Sequence, residues 1–184
     1  PRGPRAYEVG IAVMTLTEGS CDLLIAYHHP SQPLQLAPNG YEMLNLGRET
    51  LAPYAKPRPD GQPMHRLPTP RGTRAAFLGY GAGAYLGRLV EIIVKHAPQA
   101  PTLDLVYQTD MAEGLKAMAL EGHGLAFLPG SSVKKGLKAR RLVRAAPDGA
   151  FELEMEVRIY RERVDVARRA KPGAQGLWEF LRER

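Results

Sequence analysis

Apolar positions along the chain alternate between short continuous runs and helix-spaced stripes, and the alternation continues from one end to the other. Residues 5–9 predict a short strand. Ile11, Val13 and Leu16 then share one side of a brief helix that Gly19 ends. Residues 21–27 form an apolar run of buried-strand length, and the loop over residues 30–40 closes in the turn Pro38-Asn39-Gly40. Residues 41–55 resume an extended pattern. Residues 75–78, 103–108 and 125–129 are further strands, each followed by a helical segment. The first of these helices, residues 84–97, lines Tyr85, Leu89, Ile92, Ile93 and His96 along one side. The second opens at Asp110 with Glu113 three residues on, a capping-box arrangement, and buries Met111, Leu115, Met118 and Ala119 before Gly122. The third starts at Ser131. Residues 151–160 alternate strictly, with Phe151, Leu153, Met155, Val157 and Ile159 opposite Glu152, Glu154, Glu156 and Arg158, as in a half-exposed strand. A closing helix from Gly173 or Ala174 sends Leu177, Trp178 and Leu181 to the core.

Strands alternating with helices predict an α/β architecture. Residues 57–71 interrupt the pattern with five prolines and no periodicity, which marks a crossing from one lobe to another. With 184 residues and 44% hydrophobic content, the chain can bury one good core or two small ones. No stretch reaches the roughly 18 to 20 apolar residues of a membrane span, and the start has no signal-peptide h-region. The single cysteine, Cys21, excludes an internal disulfide, so a reducing cytoplasm is expected.

The net charge of +6, from 25 Lys and Arg against 19 Asp and Glu, raises the question of nucleic acid. Much of the excess lies in Lys134, Lys135, Lys138, Arg140, Arg141 and Arg144 and in the run over residues 158–169. Without interleaved aromatics for base stacking, these read as a solvated face.

Catalytic and metal chemistry find little support. His28, His29, His65, His96 and His123 lack a His-Glu-x-x-His or Cys-x-x-Cys context; the adjacent pair reads as an exposed strand end and His96 as a core residue. Glu152, Glu154 and Glu156 read as a solvated strand face, and Cys21 as inert packing. No Gly-x-Ser-x-Gly elbow exists. No catalytic residue, metal site or cofactor is therefore assigned. Gly79-Tyr80-Gly81-Ala82-Gly83 lies between a strand and a helix, as either a permissive turn or an anion cradle. The same strand-to-helix junction recurs at Thr109-Asp110-Met111 and at Pro129-Gly130-Ser131, and in open α/β sheets such ends converge on a ligand crevice.

Two segments resemble the effector domains of LysR-type transcriptional regulators. Leu16-Thr17-Glu18-Gly19 leads into Cys21-Asp22-Leu23-Leu24-Ile25. Ala119 to Pro129 reads Ala-Leu-Glu-Gly-His-Gly-Leu-Ala-Phe-Leu-Pro, where a glycine-x-glycine ends a helix and feeds a strand. Within the family, Tyr85-Leu86-Gly87-Arg88-Leu89 and residues 111–129 resemble the hypochlorite-responsive members. The resemblance implies two Rossmann-like lobes joined by two crossing strands, like type 2 periplasmic-binding proteins, with residues 1–57 and 151–184 in lobe one and 58–150 in lobe two. The family's first strand and helix are expected to be missing before Arg5, and its winged helix-turn-helix head to be absent from this chain.

The same resemblance places an effector cleft at Tyr80, Gly81, Gly83, Tyr85, Thr109, Met111 and Pro129. The expected partners are a small-molecule or oxidant effector, and a second copy in a homodimer that becomes a tetramer in the full-length protein. DNA is contacted only through the head, with no role for a membrane. Met111 and Met118 either fill the core or, at Met111, sense oxidant through sulfoxide formation. Leu86 stands where the subfamily would have a second methionine. A small-molecule effector held at the helix N-termini, an anion in this reading, is an equal candidate. A periplasmic-type solute-binding protein shares the fold and is the main alternative; a small enzyme on an α/β scaffold is a third reading.

Overall fold

The computed structural model describes residues 9–37, 39–147, 149–163 and 171–183. The elements follow in the order α1 (Val9–Thr17), β1 (Leu24–His28), β2 (Tyr41–Ala55), β3 (Ala75–Tyr80), α2 (Tyr85–His96), β4 (Leu103–Thr109), α3 (Ala112–Glu121), β5 (Leu125–Pro129), α4 (Gly130–Lys138), β6 (Val143–Arg144), β7 (Leu153–Glu162) and α5 (Pro172–Arg182). Of the strand expected at residues 5–9, Val9 belongs instead to α1 and the rest lies outside the described residues. Two compact units emerge, residues 1–48 with 155–184 and residues 49–154. The first unit is discontinuous. The divisions fall inside β2 and β7 rather than at the Pro-rich stretch 57–71, which lies within the second unit, because an unbroken strand carries the chain across.

In unit 1, Leu16 of α1 packs on Leu24 and Tyr160, with Val13, Cys21 and Tyr41 around them. Gly19 takes φ +70 just after α1, as a helix-ending residue must in the left-handed region. Burial, and then the Asp22 carboxylate, push the Cys21 thiol above its ordinary value, in keeping with packing rather than reactivity. β1 pairs antiparallel with β7, Leu24 opposite Tyr160 and His28 opposite Glu156. It is an edge strand, so only Leu24 is buried and Ile25 is exposed, against the expected fully buried run over residues 21–27.

β7 neighbours β2, and the Arg163 N–H donates to the Gly40 carbonyl where β2 begins. Arg161, expected on a solvated basic run, is instead buried. Its guanidinium lies 4.3 Å from the Trp178 ring centroid, and it donates to the Glu42 carboxylate at 2.6 Å and to Gln175 Oε1 at 3.2 Å. One side chain thus ties β7 to β2 and α5. Trp178 is buried on α5, but Leu177 is exposed, because neighbouring helix positions are turned about 100° apart.

His28, expected at an exposed strand end, is half-buried. Its Nδ1 is buried without a hydrogen-bond partner beside a small cavity of about 190 Å3 that Tyr41, Arg158 and Tyr160 also line. Burial, then the Arg158 guanidinium, hold its pKa below the ordinary 6.5, with Glu156 opposing and His29 adding to the depression.

In unit 2, β3 runs parallel to β4 on one side and to β5 on the other, while β2 lies antiparallel to β5 and β6 pairs with β2. β5 sits between two strands and is buried at all five positions, as a central strand covered on both faces requires. β4, at the edge, exposes Leu105 and Val106. Leu78, Leu89, Leu115, Leu125, Phe127 and Leu128 form the core, and Phe77 meets Phe127 edge-on at 6.2 Å.

Val90 rather than His96 completes the buried face of α2. His96 is exposed and donates from Nδ1 back to the Ile92 carbonyl at 2.8 Å, since in the last turn the ring reaches its own helix more readily than the core. Gly122 closes α3 at φ +91. A Cβ on Gly124 would stand 2.8 Å from the Ala76 carbonyl oxygen.

The glycine-x-glycine pair is thus structural, one residue for its dihedral and one for the close approach of β5 to β3. Phe151 precedes β7 at φ +55 and remains buried. Glu152, expected on a solvated face, pairs with Arg144, and Glu156 with Arg158 at 2.5 Å. β7 ends its alternation because Ile159, Tyr160 and Arg161 are all buried.

Gly124→Ala is expected to destabilise unit 2 by about 2 kcal/mol or more, because its neighbour is backbone and cannot yield. Urea unfolding followed by circular dichroism measures this; a midpoint unchanged from the parent would show that the approach is looser. For His28 the depressed pKa means that the unfolded chain binds the proton more readily. Unit 1 is therefore expected to be fully stabilised above pH 6.5 and to weaken as the pH falls below it towards the depressed value. Trp178, the only tryptophan, reports unfolding of unit 1. Equal midpoints at pH 7.5 and 5.5, or the same slope in His28→Gln, would contradict the expectation.

Candidate functional site

Parallel pairing brings the ends of β3, β4 and β5 to one edge of unit 2, with Tyr80 in register with Thr109. Each strand then enters a helix, so the starts of α2, α3 and α4 lie along that edge. Tyr80 and Tyr85 are buried. The Tyr80 hydroxyl donates to the Phe127 carbonyl at 2.9 Å, and its own carbonyl accepts from Gln108 Nε2 at 2.9 Å. Tyr80 thereby braces all three strands. The Gly81 N–H donates to the Thr109 carbonyl at 3.2 Å, and Gly83 takes φ +89 on the exposed turn before α2.

Thr109 is half-buried, and its Oγ1 accepts from the Met111 N–H at 3.4 Å. The capping box predicted from Asp110 and Glu113 does not form. Met111 occupies the cap position without a side-chain cap bond, Asp110 lies with its carboxylate against Gly81, and Glu113 pairs with Lys116. Met111 is 52% exposed, not buried as expected, and Met118 is half-buried, because Leu115 and Ala119 alone face the core from α3. Pro129 is buried at the cap of α4, and its carbonyl accepts from Ser132 Oγ at 2.7 Å.

Glu49 escaped the sequence reading. Its carboxylate accepts from the Ser131 N–H at 3.1 Å and from the Thr50 N–H at 2.9 Å, so it fills the start of α4, where unpaired N–H groups and the helix dipole favour negative charge. The register explains this: Leu51 faces Pro129, and two residues further along each antiparallel strand Glu49 comes opposite Ser131. Nothing local in the sequence signals that pairing. Carboxylates of the chain itself thus stand at the β3 to α2 turn and at the α4 start. An anion expected at these helix starts would meet them as like charges. Among the described residues, no group of three His, Cys, Asp or Glu could hold a metal ion.

A family model described as the LysR substrate binding domain matches residues 12–184. The chain is 28% identical over 179 residues to the HTH-type transcriptional regulator YjiE of Escherichia coli strain K12, covering 97% of this chain and 54% of that protein. It is also 28% identical over 179 residues to the HTH domain-truncated transcriptional regulator QseD of Escherichia coli O157:H7, covering 97% of this chain and 68% of that protein. Of YjiE, then, the chain spans about half the length. Its fold is similar to the apo regulatory domain of HypT from Salmonella typhimurium, with a TM-score of 0.80 and 26% identity over 97% of this chain and 79% of that one. HypT is described as a hypochlorite-specific LysR-type transcriptional regulator. These likenesses favour a regulator over a periplasmic-type solute-binding protein. With a match across nearly its whole length and the α/β fold of the known regulatory domains, the chain belongs to the LysR substrate binding domain family.

Proposed function

We propose that this chain senses the effector of a LysR-type transcriptional regulator, and that the turns after β3 and β4 read the signal. The observation that carries the reading is Met111: its side chain is 52% exposed at the start of α3, beside Thr109 and on the edge that holds Tyr80, Gly81, Gly83, Tyr85 and Pro129. An exposed thioether is open to oxidation, and the sulfoxide puts a polar group where an apolar one was. The likeness to HypT, a hypochlorite-specific regulator, supports an oxidant as the effector. A small molecule held at the strand ends of unit 2 is the second reading. The carboxylates of Glu49 and Asp110 near the strand ends favour an uncharged or cationic one over the anion expected from the helix starts.

In this reading units 1 and 2 are the two lobes. The regulator is a homodimer, tetrameric at full length, that acts in the cytoplasm and contacts DNA through a winged helix-turn-helix domain outside this chain. Family membership supports these assignments, and no helix among the described residues is long and apolar enough to cross a membrane. As a member of a regulator family the chain is read as a binding module rather than an enzyme.

The test joins the chain to its DNA-binding domain, exposes the protein to hypochlorite, maps sulfoxides by mass spectrometry and follows operator binding. Sulfoxide at Met111 and a change in DNA binding that Met111→Leu abolishes are expected. A variant that responds as the parent does would make Met111 packing and move the signal elsewhere.

A further inference from the structure

At the other end of the same strands lies a concavity that the reading above does not use. β2 runs antiparallel to β5, and β5 parallel to β3, so Ala55 at the end of β2 and Ala75 at the start of β3 share the edge opposite Tyr80. The chain between them, with Gln99 ahead of β4 and residues 144–147 from the end of β6 onward, lines an open hollow of about 710 Å3. That is the size of a small-molecule site. Three arginines line it, Arg66, Arg71 and Arg144, and among the described residues no acidic residue does.

The walls are tied together. The Leu67 N–H donates to the Ala145 carbonyl at 2.6 Å, and the Ala145 N–H to the Pro53 carbonyl at 2.9 Å. Leu67 and Thr69 are buried, and Thr69 Oγ1 accepts from the Thr102 N–H at 3.1 Å. Four prolines, Pro63, Pro68, Pro70 and Pro147, stiffen the rim. Arg144 is held in place by Glu152 and lies over Tyr54, 5.7 Å from its ring centroid. Arg66 and Arg71 have no ion-pair or hydrogen-bond partner among the described residues. Two unneutralised guanidinium groups and a third fixed beside them form an electropositive, preshaped hollow, and the planar forks match carboxylate and phosphate oxygens.

The geometry points to a second binding site in unit 2, for a small organic or inorganic polyanion bearing two or more phosphate or carboxylate groups. Among the described residues no aromatic side chain lines the hollow, which argues against single-stranded nucleic acid, whose bases would stack there. The site lies at the opposite strand ends from Met111, so its ligand and the oxidant signal are separable.

Titration calorimetry of this chain with tripolyphosphate, citrate and a random DNA duplex tests the assignment. One saturable site for tripolyphosphate or citrate is expected, the stronger of the two identifying the oxyanion. Arg66→Ala and Arg71→Ala are each expected to weaken it about tenfold, and the double variant to abolish it. Both side chains are exposed on the surface, and matching melting curves check that the variants remain folded. Lys134→Ala with Lys135→Ala removes the same charge from α4 and is expected to leave binding unchanged. The assignment is overturned if neither polyanion saturates, if the lysine variant loses as much affinity as the arginine variant, or if the duplex outcompetes both polyanions through Arg66 and Arg71.

Discussion

Parallel hydrogen bonding of β3 to β4 on one side and β5 on the other sets the layout of unit 2. Parallel strands need crossover connections, so each must be followed by a helix that returns the chain to the same starting edge. That requirement puts the ends of β3, β4 and β5, and the starts of α2, α3 and α4, along one edge and the return loops along the other. The two edges acquire different chemistry from the residues at hand. Tyr80 knits the first edge together through Phe127 and Gln108. The second edge gathers the arginines and prolines of the long connection from β2 to β3. The close approach at Gly124 belongs to the same constraint, since β5 reaches β3 only where no side chain intervenes.

The strand-end edge supplies its own anions. Helix starts carry unpaired N–H groups and a partial positive charge, and in an open site these would draw a ligand's carboxylate or phosphate. Here Glu49 takes up the N–H of Ser131, and Asp110 leans on Gly81. With those carboxylates in place, a further anion at these two positions would meet like charge.

Unit 1 rests on a different device, the burial of one charged side chain. Taking a guanidinium from water is costly unless it is paired and hydrogen-bonded, and Arg161 is both, with the Trp178 ring as a further partner. It joins three elements that are far apart in sequence. The basic run over residues 158–169 therefore divides by tertiary position: Arg158 pairs with Glu156, Arg161 is buried, and residues 164–169 lie outside the described part.

Periodicity alone was enough to place β2 at Tyr41–Ala55 and β5 at Leu125–Pro129, and to find the helices, since side-chain spacing is a local property that the backbone geometry imposes. The glycines of residues 122–124 marked a helix end for the same reason. The two signatures carried the family, because a motif read in order along the chain needs no folding to be recognised. Which side of an element would be buried was less accessible. Ile25, His96, Met111 and Leu177 are apolar or helix-spaced in sequence yet face outward, because exposure depends on which neighbours a strand or helix finds. Glu49 at the start of α4, Asp110 against Gly81 and Arg161 over Trp178 join residues separated by many positions, and only strand register and helix docking bring them together. The chain's sequence determined its elements and its family. Its tertiary structure decided which charges are neutralised, which methionines meet solvent and where, among the described residues, positive charge is left unpaired, for those are properties of distance in space rather than of order along a chain.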